Sequence, residues 1–155
     1  MSRATLGHWE GDLIVGSNNS HIATVVERST RFTMLVQVDS KKTSDVVGSL
    51  SKQLSQLPEA FKKTLTWDRG TELAAHTELT VATGMDVYFC DPSSPWQRGT
   101  NENTNGLLRQ YFPKGTSLKG YSQYYLDSIA SKLNDRPRKT LKYHTPHDML
   151  NMVLL

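Results

Sequence analysis

Apolar positions between residues 8 and 39 fall in three short runs, HWEGDLIVG, HIATVVERS and RFTMLVQVD, each rich in Val, Ile, Thr and aromatic side chains. Polar breaks at SNNS and ERSTR separate them, so the pattern predicts an antiparallel meander of three strands. The period then changes. In TSDVVGSLSKQLSQL, Val46, Val47, Leu50, Leu54 and Leu57 recur at helical spacing, with Thr43 or Ser44 as cap and Pro58 closing the segment. LTWD reads as a short strand, ELAAHTELTVAT as a helix stopped by Gly84, and MDVYFC as another strand. After the turn-rich DPSSP, helical spacing resumes from about Thr100 to Tyr111, where Pro113 ends it. YSQYYLDSIASKLN and PHDMLNMVLL supply two last helices.

A meander followed by strand-helix-strand units implies an α/β protein with a mixed sheet and helices on its faces. In such sheets polar chemistry collects where loops meet strand ends. The 155 residues suit a single domain, without repeats or an interdomain linker. The net charge of +3 is unevenly spread. Residues 1–90 carry nine Lys/Arg against ten Asp/Glu, whereas residues 91–155 carry nine against five. A basic second half favours a polyanionic partner, with a solvated basic face as the competing reading. The lone cysteine, Cys90, excludes an internal disulfide and a cysteine-cluster zinc site, and ends a run that reads as a buried strand. No stretch resembles a secretory leader or approaches the roughly 18 apolar residues of a membrane span, so an intracellular, cytoplasmic protein is expected.

Three carboxylates stand in different settings. Asp12 interrupts an apolar strand, where an acid is costly unless it is paired or holds a metal. Asp68 ends the strand LTWD, and would meet Asp12 if the two strands were neighbours. Glu102 lies near the start of a helix, ringed in sequence by Arg98, Arg109 and Lys114. Two short acids on strands and one longer acid from a helix form an oxygen donor set suited to Mg²⁺. Paired ions in such a site carry phosphoryl displacement without a side-chain nucleophile. Each acid also has a simpler reading: an edge-strand acid facing solvent beside Glu10, a turn residue before Gly70, and a first-turn acid favoured by the helix dipole. Glu10, Glu72 and Asp91 compete as ligands on pattern alone.

GHWEGDLIVG, LTWDRGTELAAH, VYFCDPSSPWQRGTNENTNGLLRQYFPKGT and LNDRPRKTLKYHTP, in that order, closely resemble the transposases of the IS-thirty group of bacterial insertion sequences. These belong to the DDE superfamily, with retroviral integrases. The resemblance implies an RNase H-like integrase core with a five-stranded mixed sheet and helices on both faces. It assigns Asp12, Asp68 and Glu102 as the catalytic, metal-binding acids, the last two separated by 33 residues as in that group. Two Mg²⁺ or Mn²⁺ ions, DNA ends and target DNA, and self-association on DNA follow as expectations, with no membrane or small-molecule substrate.

Basic and amide side chains near Glu102, namely Gln97, Arg98, Asn101, Asn105, Arg109 and Lys114, are then expected to hold DNA. Trp96 would stack on a base or pack beneath its loop. Arg69 would meet a phosphate or pair with Glu72. Arg136, Arg138, Lys139 and Lys142 form a further basic segment, DNA-facing or simply solvated. His144 and His147 lack partners at metal-ligand spacing. Full-length members also carry an N-terminal helix-turn-helix region. Only eleven residues precede Asp12, so the chain reads as residues 1–155 of a catalytic core without it. A non-catalytic regulatory fragment, or a cellular nuclease of the same fold, are the competing functions.

Overall fold

SNNS closes the first hairpin through two left-handed asparagines, Asn18 at φ 58° and Asn19 at φ 54°, the turn whose twist suits paired antiparallel strands. It joins β1 (His8–Gly16) to β2 (Ser20–Glu27), which pairs in turn with β3 (Thr33–Gln37). The computed structural model describes residues 6–67, 76–89, 106–138 and 141–154, the side chains of 153 and 154 excepted. On the other side of β1, β4 (Thr64–Trp67) runs parallel to it, and β5 (Asp86–Phe89) runs parallel to β4. The five strands lie in the order β3-β2-β1-β4-β5, so the strand bearing Asp12 is central. The expectation of a mixed five-stranded sheet holds.

Alternation along β1 divides two cores. Trp9 packs with Val25, Leu65 and Trp67 against Val46, Val47, Leu50 and Leu54 of α1 (Thr43–Leu54) and Leu79 of α2 (His76–Thr83). Ile14, Ile22 and Leu35 face the other way, onto Leu108, Phe112 and the Leu126, Ile129 and Leu133 stripe of α3 (Gln123–Asn134). Helices therefore cover both faces. The α3 stripe recurs at i, i+3 and i+7, so one side is buried while Tyr124 stays in solvent. Ser122 caps α3 by accepting the Tyr125 N–H. Asn134, buried at its other end, grips the edge of β3 by accepting Thr33 N–H at 2.8 Å and donating to Thr33 O at 2.9 Å. A last helix, α4 (Pro146–Leu154), follows.

Several boundaries differ from the periodic pattern. Lys42 is the N-cap residue of α1 and provides no side-chain cap; Thr43 and Ser44 are already helical. Asp45 in the first turn instead accepts from Ser40 Oγ at 2.6 Å. The helix ends at Leu54, yet Leu57 still packs on the core from the following turn, its N–H donating to Leu54 O. Helical geometry at 106–108 stops before Tyr111, and residues 100–105 lie outside the described residues.

β2 ends at Glu27 because that side chain bends the chain. The carboxylate, 1% exposed, accepts from Ser29 N–H at 2.9 Å and from Thr30 N–H at 3.0 Å, and Arg31 takes a left-handed φ of 63°. Burial pushes the Glu27 carboxyl above its ordinary value near 4.5, partly offset by these hydrogen bonds. The folded chain thus holds this proton to higher pH than the unfolded chain. The stability it contributes is complete below about 4.5 and is lost as pH rises through the raised value. In thermal unfolding, the parent midpoint is expected to fall relative to Glu27→Gln over that rise; parallel pH curves would refute the assignment.

Candidate active site

Asp12 lies on β1 opposite Thr24 of β2, half-buried, and its Oδ1 accepts the Leu13 N–H at 2.8 Å. This bond fixes one carboxylate oxygen against the strand. An edge-strand acid is ruled out by the central position of β1. Alternation places Asp12 on the same face as Glu10 and Ile14, the face on which Leu108 and Phe112 pack. Glu10, opposite Val26 and Thr66, is 3% exposed, so the first acid of WEGD is buried more deeply than Asp12.

Beside Asp12 the two parallel strands run in register from His8 opposite Thr64 to Gly11 opposite Trp67. Gly11 has no alternative residue at this spot. A Cβ there would lie 2.4 Å from the Cε3 and Cζ3 atoms of Trp67 and 3.2 Å from Leu65 Cδ1. The fully buried indole therefore occupies the space a side chain at 11 would need. Sequence reading passed over this pair; its one signal was the glycine placed directly before an intrastrand acid.

Arg109 joins the helical segment to the end of β1. Its Nη2 donates to Val15 O and its Nη1 to Phe112 O, each at 3.3 Å. Lys114 is exposed in the next loop, which is pinned to the first hairpin where Ser17 N–H donates to Thr116 O at 2.9 Å. Arg136 is half-buried and donates from Nη1 to Gln110 Oε1 at 3.0 Å. Arg138 departs from the exposed basic segment that its neighbours suggested. It is 7% exposed, turned inward so that Nη2 donates to Leu133 O at the end of α3. Lys142 and His144 are exposed. His147 packs edge-on against Phe32, with Nδ1 2.5 Å from Asp135 Oδ1, a link between α4 and the body of the domain.

Asp68, Arg69, Trp96, Gln97, Arg98, Asn101, Glu102, Asn105 and Lys139 lie outside the described residues, as do Glu72, Cys90 and Asp91. Among the described residues no three His, Cys, Asp or Glu side chains gather as a metal site. Among the same residues, no helix is long and apolar enough to cross a membrane.

Comparison with known proteins identifies the architecture. Residues 2–95 match the family described as Integrase core domain. The chain is 58% identical over 149 residues to the transposase InsI for insertion sequence element IS30A of Escherichia coli, covering 96% of this chain and 39% of that protein. Identity is 54% to the transposase for insertion sequence element IS1086 of Cupriavidus metallidurans, and 36% to that for IS4351 of Bacteroides fragilis. In these two cases it spans 96% of this chain and 44% or 45% of the relative. The chain thus spans less than half the length of each of these relatives. The matched residues 2–95 take in all five strands of the sheet, including the central β1 that carries Asp12, and the chain belongs to the integrase core domain family.

Proposed function

We propose that this chain is the catalytic domain of an insertion-sequence transposase, cutting DNA and joining DNA strands by phosphoryl transfer at a site built from Asp12, Asp68 and Glu102. The observation that carries this reading is the register of β1 and β4. Gly11 stands opposite Trp67, and each is followed in the chain by one of the two aspartates. The third acid precedes Leu108 by six residues, and Leu108 packs with Ile14 on the face that Asp12 shares. The pairing of Gly11 with Trp67 and the packing of Leu108 against Ile14 support a site in which the three acids meet at that end of the parallel pair.

The donor chemistry fits a divalent cation. Carboxylate oxygens are the hard ligands that Mg²⁺ and Mn²⁺ prefer, and the Leu13 N–H holds the Asp12 carboxylate in a set orientation. Bound ions of this kind would activate water or a 3′-hydroxyl and neutralise charge at the scissile phosphate. The protein's own part is to position. Asp12, Asp68 and Glu102 fix the reacting centre, while Arg109, Lys114, Arg136 and the basic and amide groups around Glu102 grip phosphates and hold the strand in line. Gln97, Arg98, Asn101, Asn105, Arg69 and Lys139 belong to that second group, with Trp96 stacking on a base. Assembly of several copies on paired DNA ends completes the reading.

The test uses labelled DNA carrying element ends, with Mg²⁺ or Mn²⁺ and with a chelator. Nicking or strand transfer that appears only with the metal supports the proposal. Binding without cleavage under every metal condition would overturn it in favour of a non-catalytic, regulatory fragment. Preferential cleavage of RNA–DNA hybrids would point to a cellular nuclease.

A further inference from the structure

Three tyrosines fall within five residues at the start of α3, and two of them stand in solvent. Tyr124 is 85% exposed and Tyr125 44% exposed, on a helix whose other side closes the second core. The Tyr125 ring lies along that of Tyr121, with centroids 5.1 Å apart and 14° between the planes. Tyr121 in turn meets the buried Phe112 edge-on at 5.2 Å. A column of rings thus runs from the core to the surface and ends on Tyr125. Core packing accounts for Phe112 and Tyr121, but not for Tyr124 or the open part of Tyr125.

The exposed pair is held in place. Ser122 accepts the Tyr125 N–H at 3.1 Å and caps the helix. Gln123 ties the same turn to the edge of β3, where its Oε1 accepts Gln37 N–H at 2.9 Å and its Nε2 donates to Leu35 O at 2.7 Å. Tyrosine has only two side-chain torsions, so rings on a fixed turn lose little freedom when a flat partner settles on them.

The charge around the rings matches a polyanion. Residues 106–134 hold Arg109, Lys114, Lys119 and Lys132 against a single carboxylate, Asp127. That carboxylate accepts from Gln123 Nε2 at 2.7 Å, on the side of the helix that faces Phe32 and Met34. Lys132 is exposed and follows Tyr125 by seven residues, which places it on the same flank two turns, about 10 Å, further along. Lys119 is exposed two residues before Tyr121.

We infer that Tyr124 and Tyr125 form a stacking platform for unpaired bases of a DNA strand, with Lys119 and Lys132 taking its phosphates. Aromatic faces match the face of any base, and flanking cations match the backbone. Within a duplex those faces are covered by neighbouring bases, so the platform selects a strand that is unpaired. The inference rests on the DNA-processing reading above. It adds a surface for single-stranded DNA outside the four motifs that carry the family resemblance.

Binding is measured in a chelator, so the test needs no cleavage. Fluorescence anisotropy follows a labelled single-stranded oligonucleotide and a blunt duplex of the same length as salt is raised. The chains compared are the parent, Tyr124→Ala/Tyr125→Ala, Tyr124→Phe/Tyr125→Phe and Lys132→Ala. The alanine pair should lose about tenfold or more in single-strand affinity at an unchanged salt slope, because stacking carries no charge. On the duplex it should bind as the parent does. The phenylalanine pair keeps both ring faces and should match the parent on both DNAs. Lys132→Ala should flatten the single-strand slope by about 0.7, one phosphate contact. Equal losses on single strand and duplex, or a phenylalanine pair as weak as the alanine pair, would overturn base stacking. An alanine pair that changes the oligomeric state in sedimentation, with single-strand affinity intact, would overturn it in favour of a second copy of the chain. If the pair does not fold, Tyr124→Ala alone decides, since its ring stands in solvent and an unchanged single-strand affinity there refutes the platform. Nicking of element ends is scored separately, so a failed platform leaves the active-site reading standing and a failed active site leaves the platform testable.

Discussion

Asp12→Asn is expected to lower metal-dependent nicking by on the order of 10³-fold or more while leaving the chain folded and as stable as the parent. The two halves of this expectation have separate causes. Asparagine keeps the size of the side chain, and its Oδ1 can still accept the Leu13 N–H that Asp12 accepts at 2.8 Å. Asp12 is half-buried on the central strand, so removing its charge leaves no cavity in either core. What disappears is the negative charge that attracts a divalent ion, together with the strong donor oxygen that would bind it. A loss of that size corresponds to about 4 kcal/mol of transition-state stabilisation. Asp68→Asn and Glu102→Gln should fail in the same way, and combining two of the three should cost little more than one, because the acids act as a unit. The comparison is rate of nicking per folded molecule, with circular dichroism and thermal midpoint as controls. An Asp12→Asn chain that nicks at the parental rate would remove Asp12 from the site.

Gly11→Ala is expected to destabilise the domain by roughly 1–3 kcal/mol, a small substitution with a large effect. The added Cβ would lie 2.4 Å from two ring carbons of Trp67, well inside van der Waals contact. Trp67 cannot withdraw, because it is fully buried among Leu65, Leu50, Leu79 and their neighbours. For a chain of this length the midpoint should fall by about 2–4 °C for each kcal/mol. The relief must push β1 and β4 apart at the step just before Asp12 and Asp68, so nicking should fall more than the lost stability explains. Shortening the indole tests the cause. Trp67→Leu is destabilising alone, but the Gly11→Ala/Trp67→Leu chain should lose less than the two single losses combined, the mark of residues in direct contact. Simple additivity would show that the two do not share this space.

Part of this architecture is written locally. The Val, Ile and Thr runs separated by SNNS and ERSTR specify a three-stranded meander, since alternation and turn chemistry act within a few residues. The helical recurrence of Val46, Val47, Leu50 and Leu54 likewise specifies α1, and these are the side chains that the first core buries. Local signals were weaker at boundaries. The cap at Thr43 or Ser44 gave way to Lys42, and β2 stopped at Glu27, because hydrogen bonds from neighbouring turns decide where an element ends. The choice of Asp12, Asp68 and Glu102 over Glu10, Glu72 and Asp91 came from the order and wording of four motifs, not from periodicity.

Composition and pattern by themselves determined that this is an α/β chain with an acid inside its first strand and a basic second half. Tertiary structure alone decided that β4 lies parallel beside β1, that Trp67 fills the space left by Gly11, and that Arg138 turns inward among other arginines. The physical reason is range. Periodicity records which face of an element is apolar, but which strand lies beside which depends on a crossover and on two cores closing at once. The environment of a charge then depends on neighbours from distant parts of the chain, which no local window contains.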